Sequence, residues 1–465
     1  MKEVRALTLN MGYVLSANVS SLVISIFIAL FVPRIIGVTE YGFWELYIFY
    51  GSYAGFFHFG WADGLLLRYG GEEYTALNEA VFKPTGFLYL MGQIGLSVVL
   101  LIGCLMIQPE NLAVYIGVII LMNVVNLRVY NTFILQATSR MKDFAAVIFI
   151  GNLIFLVGLT MIYFMGITFE RLIVVDLLSK FISLLYSFYL TSDLHTVVSR
   201  SVNWQAAIQE MKDNIGAGIP LTIAYIIGLL ITGVYRFSIE WRWGINDFAQ
   251  ISLALNISSV ILIFVSAIGI AVFPALKKIP DEQYATLYRE INYWLTLGLF
   301  LIATFFYIGK PILLSWLPHY EEGISYLTFL FPIFIFESKN ALLNTTFLKA
   351  TRLERVIVRQ NLFTVLLSIF LSILSVGIFS NMTLAIVCVL LSNMFAAIIG
   401  EIILGKTFKM VNYKLILQEM LATISFILIS LNIYPLVAPL IFLLVILFIF
   451  RPDMQKLKIA FNQWK

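Results

Sequence analysis

The chain has 465 residues, of which 61% are hydrophobic and 12% are charged, and its formal net charge is +4 at pH 7. A typical soluble domain is about half apolar and about a quarter charged. This composition therefore excludes a soluble globular enzyme, and it excludes a disordered chain, which needs low hydrophobicity and a high net charge. The net charge is too small to indicate a nucleic-acid partner.

Apolar stretches of about twenty residues, long enough to cross a hydrocarbon core of about 30 Å as helices, recur along the whole chain. Windows of about 19 residues predict about fourteen such spans. In chain order they are 10–33, 41–63, 84–107, 112–135, 144–166, 169–191, 214–236, 248–274, 290–313, 323–348, 357–379, 383–405, 415–432 and 434–450. The sequence thus predicts an all-α polytopic membrane protein with short connecting segments.

The basic residues are unevenly shared between the two sets of alternating connecting segments. Most of the 30 Lys and Arg residues fall on the cytoplasmic side if the N-terminus is placed there. Because cytoplasmic loops carry an excess of Lys and Arg, we predict that the N-terminus and the C-terminus both lie in the cytoplasm. The N-terminal segment has no short apolar core followed by a cleavage site, and we interpret it as part of a retained first span.

A weak internal repeat links the first and seventh spans. Residues 10–34 and 214–236 each begin with Asn and end with Arg, and an acidic–aromatic–small triplet follows them at 40–42 and 247–249. Six spans separate the two starts, so both copies have the same orientation and the pseudo-twofold axis is expected along the membrane normal. Two similar bundles suit alternating access around a shared central site.

The repeat predicts three parts of the chain. Residues 1–200 form an N-terminal six-helix bundle, and residues 201–410 form a C-terminal six-helix bundle. Within the latter, 201–213 has the pattern of a short amphipathic helix on the membrane surface. Residues 411–465 add a two-helix hairpin and a cytoplasmic tail.

The stretch Val32–Tyr74 carries a family resemblance. The Arg-x-x-Gly of Arg34–Gly37, the Tyr41–Gly42 pair and the turn Arg68–Gly71 resemble the start of bacterial polysaccharide transporters. These are Wzx-type flippases of the multidrug/oligosaccharidyl-lipid/polysaccharide (MOP) exporter superfamily. The resemblance implies a multi-pass protein of the bacterial inner membrane that moves polyprenyl-pyrophosphate-linked oligosaccharide to the outer leaflet. It also implies that the last two spans are an addition present in some members.

Cationic residues inside or at the ends of the spans are the candidate substrate-binding residues. A charge at mid-bilayer costs about 2.5–3.5 kcal/mol on insertion scales, so it tends to face a polar interior or to pair with another group. Guanidinium groups bind phosphate oxygens with two parallel hydrogen bonds. We predict a cationic cavity containing Arg34, Arg128, Arg236 and Lys339. An outer-surface position stays open for Arg34, and pairing with an acidic side chain stays open for Arg128.

Five further charged residues are candidates for a gate or for ion coupling. Asp63 and Arg68 bracket the inner end of the second span, where they form either a gate or a solvated helix end. Asp176 and Lys180 are four residues apart and can neutralise each other within one helix. Glu337 is the candidate coupling carboxylate. Glu401 needs no functional explanation, because its side chain is expected to reach the cytoplasmic interface.

Polar residues that share helical faces are predicted to line the lumen. They are Asn18, Ser21, Thr222, Tyr225, Thr232 and Asn344. Helix–helix contact is the alternative for Asn18 and Ser21, and a lipid-facing position is the alternative for Thr222, Tyr225 and Thr232.

No Walker-type Gly-Lys-Ser/Thr, HExxH or paired-His motif occurs in the sequence, so we expect no cofactor and no metal site, and a transporter rather than an enzyme. The alternative to a lipid-linked-oligosaccharide flippase is a cation-coupled small-molecule or multidrug exporter of the same superfamily, and a membrane-embedded transferase is a third class. The expected partners are the lipid-linked substrate, membrane lipids and a polysaccharide polymerase with its assembly proteins, around a chain that is able to act as a monomer.

Overall fold

The computed structural model describes residues 2–195, 203–276, 283–351 and 353–463, and this part of the chain is helical without any strand. Its eighteen α-helices, in chain order, are α1 Lys2–Ile35, α2 Val38–Ala54, α3 Trp61–Arg68, α4 Glu79–Ile107, α5 Leu112–Ala137, α6 Met141–Met165, α7 Phe169–Leu190, α8 Trp204–Trp243, α9 Ile245–Leu276, α10 Tyr284–Ala303, α11 Phe306–Trp316, α12 Glu321–Leu330, α13 Ile333–Ser338, α14 Thr345–Ala350, α15 Glu354–Ser372, α16 Met382–Thr407, α17 Tyr413–Asn432 and α18 Ala438–Gln463. The predicted all-α fold is confirmed.

Every predicted span has a helix, or a broken pair of helices, at its position. Over the described ranges, nine helices are long and apolar enough to cross a membrane, or up to eleven if two bent pairs each count as one span. The bent pairs are α10 with α11, at 40°, and the helices from Pro318 to Lys349, at 50°. The other predicted spans correspond to the broken pair α2–α3, to the apolar Ala438–Arg451 of α18 and to α9, for which many side chains lie outside the described residues.

The predicted surface helix at 201–213 is not a separate element. Residues from Trp204 onward form the first turns of α8, which continues without a break to Trp243, while residues 201 and 202 lie outside the described part. Pro220 lies inside this helix. The amphipathic pattern was therefore correct for helical structure but did not indicate where the helix ends.

The chain forms two compact units, Met1–Ile226 and Ile227–Lys465, and the division falls within α8. This is later than the boundary that the repeat predicts at residue 200. In the first unit, α5 packs against α2, α4 and α7, and α1 packs against α6. In the second unit, α9 packs against α12, α15 and α13 pack against α16, and α17 packs against α18.

Glycines allow an unusually close contact between α3 and the first half of α8. A Cβ atom on Gly64 would lie 1.8 Å from the Asn214 carbonyl oxygen, and one on Gly218 would lie 1.9 Å from the Gly60 carbonyl oxygen. Gly60 also has a φ of +80°, which favours glycine, at the residue preceding α3. The contact holds the break between α2 and α3 directly against α8.

Candidate functional site

The predicted gate residues Asp63 and Arg68 bind to α8 rather than to each other. Nη1 of Arg68 donates to Glu210 Oε1 and to Asn214 Oδ1, each at 2.7 Å. Asp63 is buried, and its Oδ2 accepts a hydrogen bond from Thr222 Oγ1 at 2.5 Å. Both contacts lie in the first unit and join α3 to successive turns of one helix.

Glu210 is the centre of this network, and the sequence did not single it out. Its Oε1 atom also accepts hydrogen bonds from Tyr69 OH at 2.9 Å and from Asn214 Nδ2 at 3.0 Å. Burial, followed by the hydrogen bond to Glu210, raises the pKa of Tyr69, so its phenol remains a donor at neutral pH. Glu210 was missed because its segment has the pattern of a solvated surface helix.

A second charged cluster in the first unit surrounds Asp176 on α7. Oδ2 of Asp176 accepts hydrogen bonds from Lys180 Nζ and from Tyr47 OH, each at 2.6 Å. The half-buried Arg128 on α5 lies close enough to Asp176 for the two charges to attract. The pairing of Lys180 within its own helix agrees with one of the predicted alternatives, and so does the acidic neighbour of Arg128. Together the three charges sum to +1.

The candidate residues on α1 have different environments. The Asn18 side chain is exposed, whereas Ser21 Oγ accepts a hydrogen bond from Asn152 Nδ2 on α6 at 2.9 Å. Ser21 therefore makes the helix–helix contact that was the alternative to a lumen position. Arg34 is exposed near the end of α1, which continues through Pro33 to Ile35.

Four candidate residues follow one another along α8. Thr222 is buried against Asp63, and Tyr225 is exposed in the same first unit. In the second unit Thr232 is half-buried, and Arg236 Nη2 donates to Ser252 Oγ on α9 at 2.8 Å. The Arg236 guanidinium also lies 5.1 Å from the centre of the Phe248 ring.

Lys339 forms a buried triad with two carboxylates in the second unit. Its Nζ atom donates to Glu401 Oε2 on α16 at 2.9 Å and forms a short contact with Glu419 Oε1 on α17. All three side chains are at most 2% exposed. Lys339 therefore faces carboxylates and not an open cavity, and Glu401 does not reach the interface as we had interpreted it.

Two polar side chains of α10 complete the triad. Asn292 Nδ2 donates to Glu401 Oε1 at 2.7 Å, and Thr296 Oγ1 donates to Glu419 Oε1 at 2.9 Å. Sequence analysis did not select Glu419, although an acidic residue inside an apolar span is a signal for a functional or paired charge. Its partner Lys339 is 80 positions away in the sequence, which no local pattern could show.

The remaining candidates of the second unit lie close to Lys339 in sequence. Glu337 is half-buried. Asn344 is fully buried, where its Nδ2 donates to the Ala397 carbonyl oxygen at 2.9 Å and its Oδ1 accepts from Tyr288 OH at 3.4 Å. Asn344 thus joins α10 to α16. The coupling role of Glu337 and the lumen position of Asn344 remain predictions.

Beside the first-unit clusters, an aromatic pocket contains a histidine. His195 Nε2 lies 2.8 Å from Asn131 Oδ1, and the pocket walls include Tyr89, Tyr130 and Phe188. Burial lowers the pKa of His195 to about 4, against the opposing charge of Asp193. The ring is therefore neutral at physiological pH. Over the residues that the structure describes, no group of three or more His, Cys, Asp or Glu side chains could hold a metal ion.

Comparison with known proteins identifies the fold. No family model and no curated protein matches the chain. Among solved structures, an inward-facing multidrug resistance MATE family transporter of the MOP superfamily is 13% identical, with a TM-score of 0.63 over 84% of this chain and 94% of that one. The lipid II flippase MurJ in an inward closed conformation is 12% identical, with a TM-score of 0.63 over 97% of this chain and 99% of that one. An outward-facing MATE family transporter is 14% identical, with a TM-score of 0.57 over 87% and 95%.

These similarities show that the chain has the fold of MOP-superfamily transporters. This agrees with the nine to eleven segments of the described residues that are long and apolar enough to cross a membrane. The neighbours are transporters and a flippase rather than enzymes. At such low identities, the likeness concerns the fold alone. It selects neither the multidrug exporters nor the lipid flippase as the functional relative.

Proposed function

We propose that the protein flips a polyprenyl-pyrophosphate-linked oligosaccharide, the repeat unit of a surface polysaccharide such as O-antigen, from the cytoplasmic to the outer leaflet of the bacterial inner membrane. It works by alternating access, with both termini in the cytoplasm. Guanidinium groups engage the diphosphate, and the prenyl tail stays in lipid. A polysaccharide polymerase with its assembly proteins consumes the product.

The extent of the fold match is compatible with this proposal. The lipid II flippase covers almost all of this chain and almost all of its own length, whereas the MATE family transporters leave a larger part of this chain uncovered. The extra length corresponds in size to the predicted C-terminal hairpin. A flippase moves a headgroup while an apolar tail stays in the membrane, and this sets it apart from an exporter of small molecules.

The surplus charge in the first unit is the observation that carries the proposal, because it favours an anionic headgroup. Arg128 and Lys180 share the single carboxylate Asp176, so one positive charge has no acidic counterpart within this cluster. Because Arg is planar and always protonated, it binds diphosphate oxygens better than Lys does. Arg128 is therefore the first-unit residue that we assign to the headgroup.

The second candidate function is a cation-coupled exporter of small molecules. Two observations favour it: the MATE family fold match has the same TM-score as the flippase match, and the second unit buries two carboxylates beside one lysine. A drug-efflux assay in a strain that lacks its own exporters discriminates between the two candidates. Energy-dependent efflux of organic cations with unchanged surface polysaccharide would select the exporter.

The test of the flippase proposal uses a strain whose own copy of the gene is deleted. Wild-type chain is expected to restore surface polysaccharide, and Arg128→Ala or Arg236→Ala is expected to lower it by about tenfold or more. A hydrogen bond to a charged group contributes about 1.5–3 kcal/mol, and about 1.4 kcal/mol corresponds to a factor of ten. Lipid-linked oligosaccharide should accumulate on the cytoplasmic side, as measured by its resistance to an external glycosidase.

Arg242→Ala is the matched control for Arg236→Ala. Arg242 lies on the same helix and is exposed, and one of its contacts is a hydrogen bond to Ser380 at 3.3 Å. All variants are compared at equal amounts of membrane protein. If every single and paired substitution of Arg34, Arg128 and Arg236 exports polysaccharide normally, the cationic-cavity mechanism is wrong.

A further inference from the structure

The buried triad has one carboxylate oxygen that no described residue satisfies. Oε1 of Glu419 accepts from Thr296 and from Lys339, but its Oε2 atom is buried and has no hydrogen-bond partner among the described residues. Glu401, in contrast, uses both oxygens, with Asn292 on one and Lys339 on the other. An ionised carboxylate oxygen left without a donor in an apolar interior is costly.

The charges of the triad also indicate that one further positive charge is needed. Among the described residues packed around it, Lys339 supplies the single positive charge and Glu401 and Glu419 supply two acidic groups. The titratable group of α10 that faces these carboxylates is the phenol of Tyr288, which adds no positive charge. Arg289 lines a crevice beside Glu401, but the structure gives it no ion pair with either carboxylate. A net charge of −1 in a dry interior is avoided by taking up one more positive charge.

A proton suits the Glu419 Oε2 atom better than a metal ion does. Hard cations such as Ca²⁺ and Mg²⁺ need about six oxygen ligands, and a monovalent metal ion also needs several, whereas a single oxygen of the triad is without a partner. Within the described ranges there is also no group of three or more acidic, His or Cys side chains suited to a metal. A proton needs only one oxygen and leaves a neutral carboxyl group, which is much less costly to bury.

A small crevice at one end of the second unit borders Glu401, one member of the triad. The crevice is lined by Tyr288, Arg289, Asn292, Glu401, Met410 and Asn412. These residues come from the start of α10, the end of α16 and the turn before α17. The positive-inside pattern predicts that this end faces the cytoplasm. A proton can therefore exchange with Glu401 without unfolding the helices.

We propose that Lys339, Glu401 and Glu419 form a proton-binding site, in which the carboxylate pair holds one proton, on Glu419 in the arrangement described, and exchanges it through this crevice. Lys339 contacts both carboxylates, so it can pass a proton to Glu401 while it takes the proton of Glu419. Glu401 then gives its proton to water in the crevice. Each O–H or N–H bond that breaks is matched by one that forms, and the pair ends with one more negative charge. The inference does not depend on what the chain transports, so it can hold even if the flippase assignment fails.

Infrared difference spectroscopy on the purified full-length chain in lipid nanodiscs tests the proposal. A carboxylic acid has a C=O stretching band that an ionised carboxylate lacks. At neutral pH, the spectrum of wild type minus that of Glu419→Gln should show the band of one carboxylic acid, because all other carboxyl groups cancel. The spectrum of wild type minus that of Glu401→Gln should show the same band. In that variant the charge of Lys339 neutralises an ionised Glu419, so Glu419 no longer holds a proton. Lys339→Met should gain a second carboxylic acid.

Both Gln variants preserve the size of the side chain, so the experiment remains decisive if Lys339→Met fails to fold. Glu322→Gln, an exposed position on α12, is the matched control and should cancel completely. Two results would overturn the proposal. One is the absence of any carboxylic-acid band in both Gln difference spectra. The other is a melting temperature that rises with NaCl but not with choline chloride at equal concentration. That result would mean that the carboxylate pair binds a sodium ion and not a proton.

Discussion

Charged side chains in this protein pair both within and between helices, and their distance in the sequence decided which pairs were predictable. Asp176 and Lys180 are four residues apart, so helical periodicity was enough to predict their pairing. Lys339 and Glu401 are 62 positions apart, so hydropathy identified the buried charge but could not name its partner. The sequence therefore shows which charged residues are buried in apolar segments better than it shows which groups neutralise them.

Removing the guanidinium of Arg68 should weaken the attachment of α3 to α8. The buried Glu210 carboxylate would lose its cationic partner, and the Arg68 side chain is 32% exposed, so solvent screening reduces the effect. We expect Arg68→Ala to lower the free energy of unfolding by about 1–2 kcal/mol, with partial recovery in Arg68→Lys. Thermal unfolding in detergent measures the change.

Lys212→Ala is the control for this substitution, because Lys212 is exposed on the same helix two residues from Glu210. Its melting temperature should match wild type. An Arg68→Ala protein as stable as this control would mean that the Glu210 network contributes little.

The neutral His195 makes stability depend on pH in a defined direction. Its pKa of about 4 in the folded chain lies below the ordinary value of about 6.5, so the unfolded chain takes up the proton first as the pH falls. Stability from this group is complete above about pH 6.5 and is lost progressively towards pH 4. Between pH 7.5 and 4.5, the melting temperature of wild type should fall by several degrees more than that of His195→Gln. If the melting temperatures of the two proteins fall equally over this pH range, His195 does not have a lowered pKa in the folded chain.

Helix positions were predictable from hydropathy, whereas helix breaks were not. The predicted span 41–63 is interrupted because α2 ends at Ala54 and the chain turns through Phe59 and Gly60, both with positive φ. A sequence window averages over such a turn, since its residues are as apolar as the helices around it. The start of α8 was misjudged for the opposite reason, because polar residues before the apolar run continue the same helix.

The glycine contact between α3 and α8 gives a test of helix packing. A methyl group at Gly218 would overlap the Gly60 carbonyl oxygen, and backbone atoms cannot yield as a flexible side chain can. We expect Gly218→Ala to destabilise the first unit by about 1–3 kcal/mol or more. The yield of monodisperse protein in detergent and its melting temperature provide the measurement.

Gly216 lies on the same helix, where an added Cβ would have no atom within 4 Å. Gly216→Ala should therefore be neutral or stabilising by up to about 1 kcal/mol, because alanine favours the helix. Equal destabilisation by both substitutions would show that the helix backbone, and not the close contact, is sensitive to change.

For the whole molecule, composition and the recurring apolar stretches were enough to predict an all-α fold with many spans, and the match to MOP-superfamily folds confirms it. The membrane orientation rests on the distribution of Lys and Arg and remains a prediction. Substrate identity depends on a few side chains in a fold that is shared by proteins with different cargoes. For this reason the sequence predicted the fold more sharply than it predicted a substrate.

Cysteine labelling tests the orientation. Cys104 and Cys388 are the two cysteines, so replacing both with Ala gives a background for single cysteines. Glu110 and Ser139 are exposed in the turns at opposite ends of α5. With a cytoplasmic N-terminus, Glu110→Cys should react with an impermeant maleimide in intact cells, and Ser139→Cys should react only after the membrane is permeabilised. The reverse labelling would invert the orientation.

Residues Lys339–Asn344 form a π-helical turn, which accommodates one residue more than the α-helical winding on either side. Loss of a single codon, for example that of the exposed Ala341, would restore regular winding and leave the registers of Lys339 and Asn344 towards their neighbours on α16 nearly unchanged. Homologues can therefore acquire or discard this wide turn in one genetic step. In an alignment, homologues without the π-helical turn would show a gap of one position between residues 339 and 344.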